Sequence, residues 1–86
     1  MTQFSYTIKD ELGIHARPAG LLVNEAKKFK PAEITISKGG PDVDLTKLMK
    51  LMSLGVKCGD TVTIKVNGEN EADAAAAIEK FLTENL

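Results

Sequence analysis

A single cysteine, Cys58, excludes an internal disulfide framework from this 86-residue chain and fits a reducing compartment. No apolar run approaches the length of a membrane span, and the opening MTQFSYT lacks a charged-then-apolar signal pattern, so a cytoplasmic protein is expected. Charge of one sign is also missing. Eleven basic and 12 acidic residues leave a net charge of −1, without the basic footprint of nucleic-acid binders. One histidine and one distant cysteine are too few ligands for zinc, and no metal or cofactor is expected. Ser5, Ser37 and Ser53 sit in no hydrolase-like motif, and so small a domain has little room for a deep substrate pocket. No repeat or linker divides the chain, and the alanine run at 74–77 is simply good helix former, so residues 1–86 are read as a single domain.

What the chain does contain is clear periodicity. Phe4, Tyr6 and Ile8 alternate with Ser5, Thr7 and Lys9, the signature of a strand with one buried face. From Pro18 the period becomes helical: Ala19, Leu22, Val23 and Ala26 form one apolar stripe, with Lys27, Lys28 and Lys30 at the carbonyl end and Pro31 as the stop. Ile34 and Ile36 mark a second strand, and Val43 with Leu45 a short third one after the Gly39-Gly40-Pro41 turn. A short helix is read over 46–54 with Gly55 as its stop, and a fourth strand follows with Val62, Ile64 and Val66 on one face. The last segment carries Ala74, Ala77, Ile78, Phe81 and Leu82 at helical spacing, with Asn70 as N-cap. The order βαββαβα with clean alternation predicts an α+β open-faced sandwich, its helices together on one face of the sheet.

The only histidine, His15, lies in Gly13-Ile14-His15-Ala16-Arg17-Pro18-Ala19, directly before the first helix. A helix start exposes unpaired N–H groups and the positive end of the dipole. With His15 as N-cap, Ala16, Arg17 and Ala19 would be the free amides, since Pro18 has none. They could hold phosphoryl oxygens while the Arg17 guanidinium pairs with them. The dipole contributes at most ~2 kcal/mol, which suits a group that must be passed on.

Two places carry more apolar surface than one sheet face can bury. Leu21 lies opposite the first helix's stripe, beside Arg17 and Asn24. On the short helix, Leu45/Leu48/Met49/Met52 and Leu51/Leu54 are both acceptable core stripes, and whichever set faces out forms an adaptable docking patch.

The histidine segment resembles the active-site signature of HPr, the histidine-containing phosphocarrier family of the bacterial phosphoenolpyruvate:sugar phosphotransferase system. The segment Leu45-Thr46-Lys47-Leu48-Met49-Lys50-Leu51-Met52-Ser53-Leu54-Gly55 resembles that family's second helix. The resemblance implies a four-stranded antiparallel sheet with three helices on one face. It implies that His15 accepts a phosphoryl group on Nδ1 from enzyme I and passes it to enzyme IIA domains of sugar permeases. Arg17 would stabilise that group with the Ala16 and Arg17 amides. Gly20, Leu21, Leu48, Met49 and Met52 would dock partners around His15 and Ala16, leaving Leu45, Leu51 and Leu54 to the core; a monomer is expected. Where Gram-positive relatives carry a regulatory serine, this chain has Lys47, with Thr46 one residue and about 100° away on the helix. A role as a regulatory signal protein, or as a scaffold in which His15 merely caps a helix, is the competing reading.

Overall fold

The computed structural model describes all of residues 1–86. Its elements are β1 (Thr2–Thr7), α1 (Ala16–Lys27), β2 (Glu33–Ser37), β3 (Val43–Asp44), α2 (Leu48–Ser53), β4 (Thr61–Asn67) and α3 (Glu71–Asn85). The strands form one sheet in the order β1-β4-β2-β3, antiparallel at every pairing. This is the open-faced sandwich expected from the alternation.

The register explains which face is wet. Pairing of Phe4 with Ile64 and of Tyr6 with Val62 puts apolar side chains of β1 and β4 on the helix side. The other face carries hydroxyl pairs: Ser5 with Thr63 at 3.3 Å and Thr7 with Thr61 at 2.9 Å. Ile8, Leu22, Ile34, Ile36, Leu45, Leu51, Ile64, Ile78 and Leu82 are buried almost completely between sheet and helices. No buried side-chain nitrogen or oxygen lacks a partner.

Several boundaries differ from the sequence reading. β3 ends at Asp44 and α2 begins only at Leu48, because Asp44 caps the intervening turn: its Oδ1 accepts from the Thr46 amide at 2.9 Å and the Thr46 hydroxyl at 2.6 Å. α1 stops before Pro31 rather than at it. The amides of Lys28 and Phe29 bond to the carbonyls three residues back, tightening the last turn. Asn70 is the residue before α3, but it adopts a left-handed φ of 58° and makes no side-chain capping bond. Glu71 organises that corner instead, accepting from the Gly68 amide at 3.2 Å, the Thr2 hydroxyl at 2.9 Å and the Met1 ammonium at 2.9 Å. On α3 the buried set is Ala74, Ala75, Ile78 and Leu82, while Ala77 and Phe81 are only half-buried.

Candidate functional site

The loop before α1 is held by backbone geometry that only glycine satisfies. Gly13 has φ +68°, and a Cβ there would collide with the Val56 carbonyl and approach Lys57 Cα to 2.7 Å. The Ile14 amide then donates to the Val56 oxygen at 3.2 Å, and the Ile14 side chain is buried. At the other end of the loop, Asp10 Oδ1 accepts from the Leu12 amide at 2.9 Å, and the Asp10 carbonyl accepts from Gly13 at 2.9 Å. The segment leading into His15 is thus clamped along its length, from Asp10 to Ile14.

His15 is the N-cap of α1, in extended conformation, and its imidazole makes no capping bond. Its carbonyl accepts from the Ala19 amide at 2.9 Å, the first bond of the helix. Ala19 is therefore not a free donor, contrary to the sequence reading. The amides of Ala16 and Arg17 find no partner within the protein, and Pro18 has no N–H. The ring is half-buried, and Arg17 beside it is exposed and forms no ion pair. Such an arrangement can receive a tetrahedral anion: two amides, the helix dipole and a guanidinium converge next to a ring nitrogen that is not consumed by the fold.

His15, Arg17, Pro18 and Leu21 line an open depression of about 320 Å3, together with Asp10 and Asn85. The last two escaped the sequence reading. Asp10 sits in a loop and Asn85 at the far end of the chain, and only the fold joins them. The joint is direct: the Leu86 oxygen accepts from the amides of Lys9 at 2.6 Å and Asp10 at 2.9 Å.

The surplus apolar residues divide as the family resemblance implies, with Leu45, which the first stripe grouped with the outward residues, buried like Leu51. Leu45 and Leu51 are buried and Leu54 is half-buried, whereas Leu48, Met49 and Met52 face outward, Met49 at 79% exposure. Leu21 is 49% exposed on α1, which packs against α2, and Gly20 next to it has nothing within 4 Å of where a Cβ would be. Leu12, 71% exposed, is a further apolar side chain that no periodicity could single out, because it lies in a loop. Lys27, Lys30, Lys47 and Lys50 share an open depression with Leu48 and Met49, and none of the four forms an ion pair.

At the start of α2, Lys47 occupies the N-cap position. The Asp44 carboxyl is held below the usual carboxylate range, first by the Thr46 hydroxyl and then by the Thr46 amide, with Lys47 and Lys30 adding attraction against a cost of burial. The Thr46 hydroxyl is thus committed to a carboxylate.

Over residues 2–84 the chain matches the family described as PTS HPr component phosphorylation site. The phosphocarrier protein HPr of Mycoplasma genitalium is 42% identical over 85 residues, which span 99% of this chain and 97% of the relative. Among solved structures, HPr-C-His from Thermoanaerobacter tengcongensis superposes with a TM-score of 0.92 at 34% identity, covering 98% of this chain and 93% of that one. The HPr dimer from the same organism superposes with a TM-score of 0.76 at 34% identity, covering 98% and 95%.

Proposed function

The chain belongs to the HPr family of the phosphotransferase system, and on that premise we propose that His15 is the residue through which it carries a phosphoryl group. Nδ1 of the ring attacks phosphorus with its lone pair. The donor's bond to phosphorus breaks, and that electron pair returns to the donor atom. The observation that carries this reading is the half-buried, uncapping imidazole at the start of α1, beside the unpaired Ala16 and Arg17 amides and the unpaired Arg17 guanidinium. These donors neutralise the transferred group without enclosing it, so it can leave again. No substrate pocket of the chain's own is involved, and the protein acts as a relay rather than an enzyme.

The donor is enzyme I and the acceptors are enzyme IIA domains of sugar permeases, and both dock on one surface. Gly20, Leu21, Leu48, Met49 and Met52 supply its apolar part, and the four unpaired lysines favour partners with an acidic rim. In this reading a monomer carries the group, since His15 and Arg17 both stand at the start of one helix. The relay would work in the cytoplasm; no helix is long and apolar enough to cross a membrane.

The test is incubation with phosphoenolpyruvate and enzyme I, followed by mass spectrometry for an acid-labile, base-stable phosphate. Label absent from the chain, or retained in His15→Ala, would sink the carrier reading. Arg17→Ala should slow transfer about tenfold or more with the fold intact, as for loss of a charge-stabilising donor; unchanged kinetics would remove Arg17 from the mechanism. In a parallel incubation with the family's serine kinase and ATP, Lys47 offers no hydroxyl and Thr46 has its own bound to Asp44. No phosphate is expected there, and a modified Thr46 would contradict this.

A further inference from the structure

The polar lining of the His15 depression is divided in a way that the carrier reading alone does not require. His15 and Arg17 bring a nucleophile and a cation, Asn85 a neutral amide, and Asp10 a negative charge. Asn85 donates one amide N–H to the Phe81 carbonyl at 3.0 Å, which leaves its second N–H and its oxygen free and its side chain neutral. Asp10 is anchored rather than mobile. Its Oδ1 is fixed by the Leu12 amide, its own amide is bonded to the Leu86 oxygen, and its carbonyl holds Gly13. It forms no ion pair with Arg17 or any other cation. A carboxylate fixed by backbone bonds on the same depression as the acceptor ring, without an ion-pair partner, does not favour the binding of an anion there. It opposes that binding.

We infer that Asp10 is a tuning charge of the phosphoryl site, which repels the group carried on His15 and so raises its tendency to move on to the next acceptor. The inference rests on the reading of His15 as the carrier residue. On accepting the group, the depression gains a phosphoryl dianion. Arg17 and the two amides attract it, and Asp10 pushes in the opposite sense across the depression. The Nδ1–P bond is therefore less stable than the donors alone would make it. When that bond breaks, the electron pair returns to Nδ1 as phosphorus bonds to the acceptor, and the repulsion is relieved.

Asp10→Asn isolates the charge, because the asparagine oxygen can still accept from the Leu12 amide. Asp10→Ser, which keeps an acceptor on a shorter side chain, serves as a second variant. The measurement is the equilibrium of phosphoryl exchange with enzyme I in a phosphoenolpyruvate/pyruvate mixture, and then the rate of donation to an enzyme IIA domain. Both variants should shift the equilibrium toward the phosphorylated chain by roughly three- to tenfold, the scale of repulsion between a single charge and a dianion in a water-like medium. Donation should slow, and the shift should shrink as salt rises from about 0.05 M to about 0.5 M. Glu11→Gln, an exposed neighbour outside the depression, should change neither quantity. Equilibria equal to wild type, or a fall in both phosphorylation and donation as a loosened loop would give, would overturn the role of Asp10. A wild-type chain that takes no phosphate would overturn the carrier reading itself, and this inference with it.

Discussion

Glycines 13 and 20 lie on either side of His15, and the fold requires only the first. Gly13 is fixed by a left-handed φ and by the Val56–Lys57 backbone pressed against it, so Gly13→Ala should destabilise the fold by about 2 kcal/mol or more. Gly20 is an ordinary helical residue with open space where a side chain would stand, so Gly20→Ala should stabilise by about 0.5–1 kcal/mol. Urea titration of both variants checks the pair; equal effects would show that the contact at Val56 relaxes. The signature containing His15 and Arg17 was readable from the chain because it is local. Asp10 and Asn85 were not, since what gives them meaning is a hydrogen bond between the Leu86 oxygen and a loop more than 70 positions away. The Ala19 amide is a different case: with His15 as N-cap, the i to i−4 pattern of the helix already assigns that amide to the His15 carbonyl.

Among the elements, α2 depends most on its surroundings. It has only six residues, far too few to persist alone, and it is held by Leu51 plugging the core and by the Asp44 turn in front of it. Leu51→Ala should cost about 2–5 kcal/mol by leaving a cavity. Met49→Glu, on the outward face, should change stability by less than about 0.5 kcal/mol and weaken docking to enzyme I severely. Thermal melts and titration against the partner separate the two, and a destabilised Met49 variant would place that residue in the core. Period alone allowed either stripe of α2 to face inward, because so short a helix offers too few turns for one stripe to outweigh the other. The packing around α2 decides it by burying Leu51 alone among the helix's residues. Strand assignment was easier, since alternation repeats through Phe4–Tyr6–Ile8 and Val62–Ile64–Val66.

Across the whole molecule, three carboxylates hold turns and chain ends in place. Asp44 binds the turn into α2; Asp60 accepts from the Lys57 amide at 2.8 Å and pairs with Lys38 at 3.1 Å; Glu71 joins the N-terminus to α3. All three are held below the usual carboxylate range: Asp44 chiefly by the Thr46 hydroxyl, Asp60 by the Lys57 amide, and Glu71 by the Met1 ammonium. A depressed carboxylate binds its proton less readily folded than unfolded. The stability it contributes is therefore complete above the unfolded value and is lost as pH falls through the folded one. Melting temperature should hold through neutral pH and fall between about pH 5 and pH 2. Asp44→Asn should flatten that fall in proportion to its share; an unchanged acid profile would show that the pairing at Thr46 contributes nothing in solution.

The sequence by itself determined the class of fold, the order of its elements and the histidine with its arginine, because periodicity, turn residues and a contiguous signature are all short-range properties. Periodicity left the outer face of α2 open, and the packing of the tertiary structure fixed it; only the tertiary structure decided that Asp10 and Asn85 share the histidine's depression. Burial and charge proximity depend on what packs from elsewhere in the chain, and no local pattern encodes that.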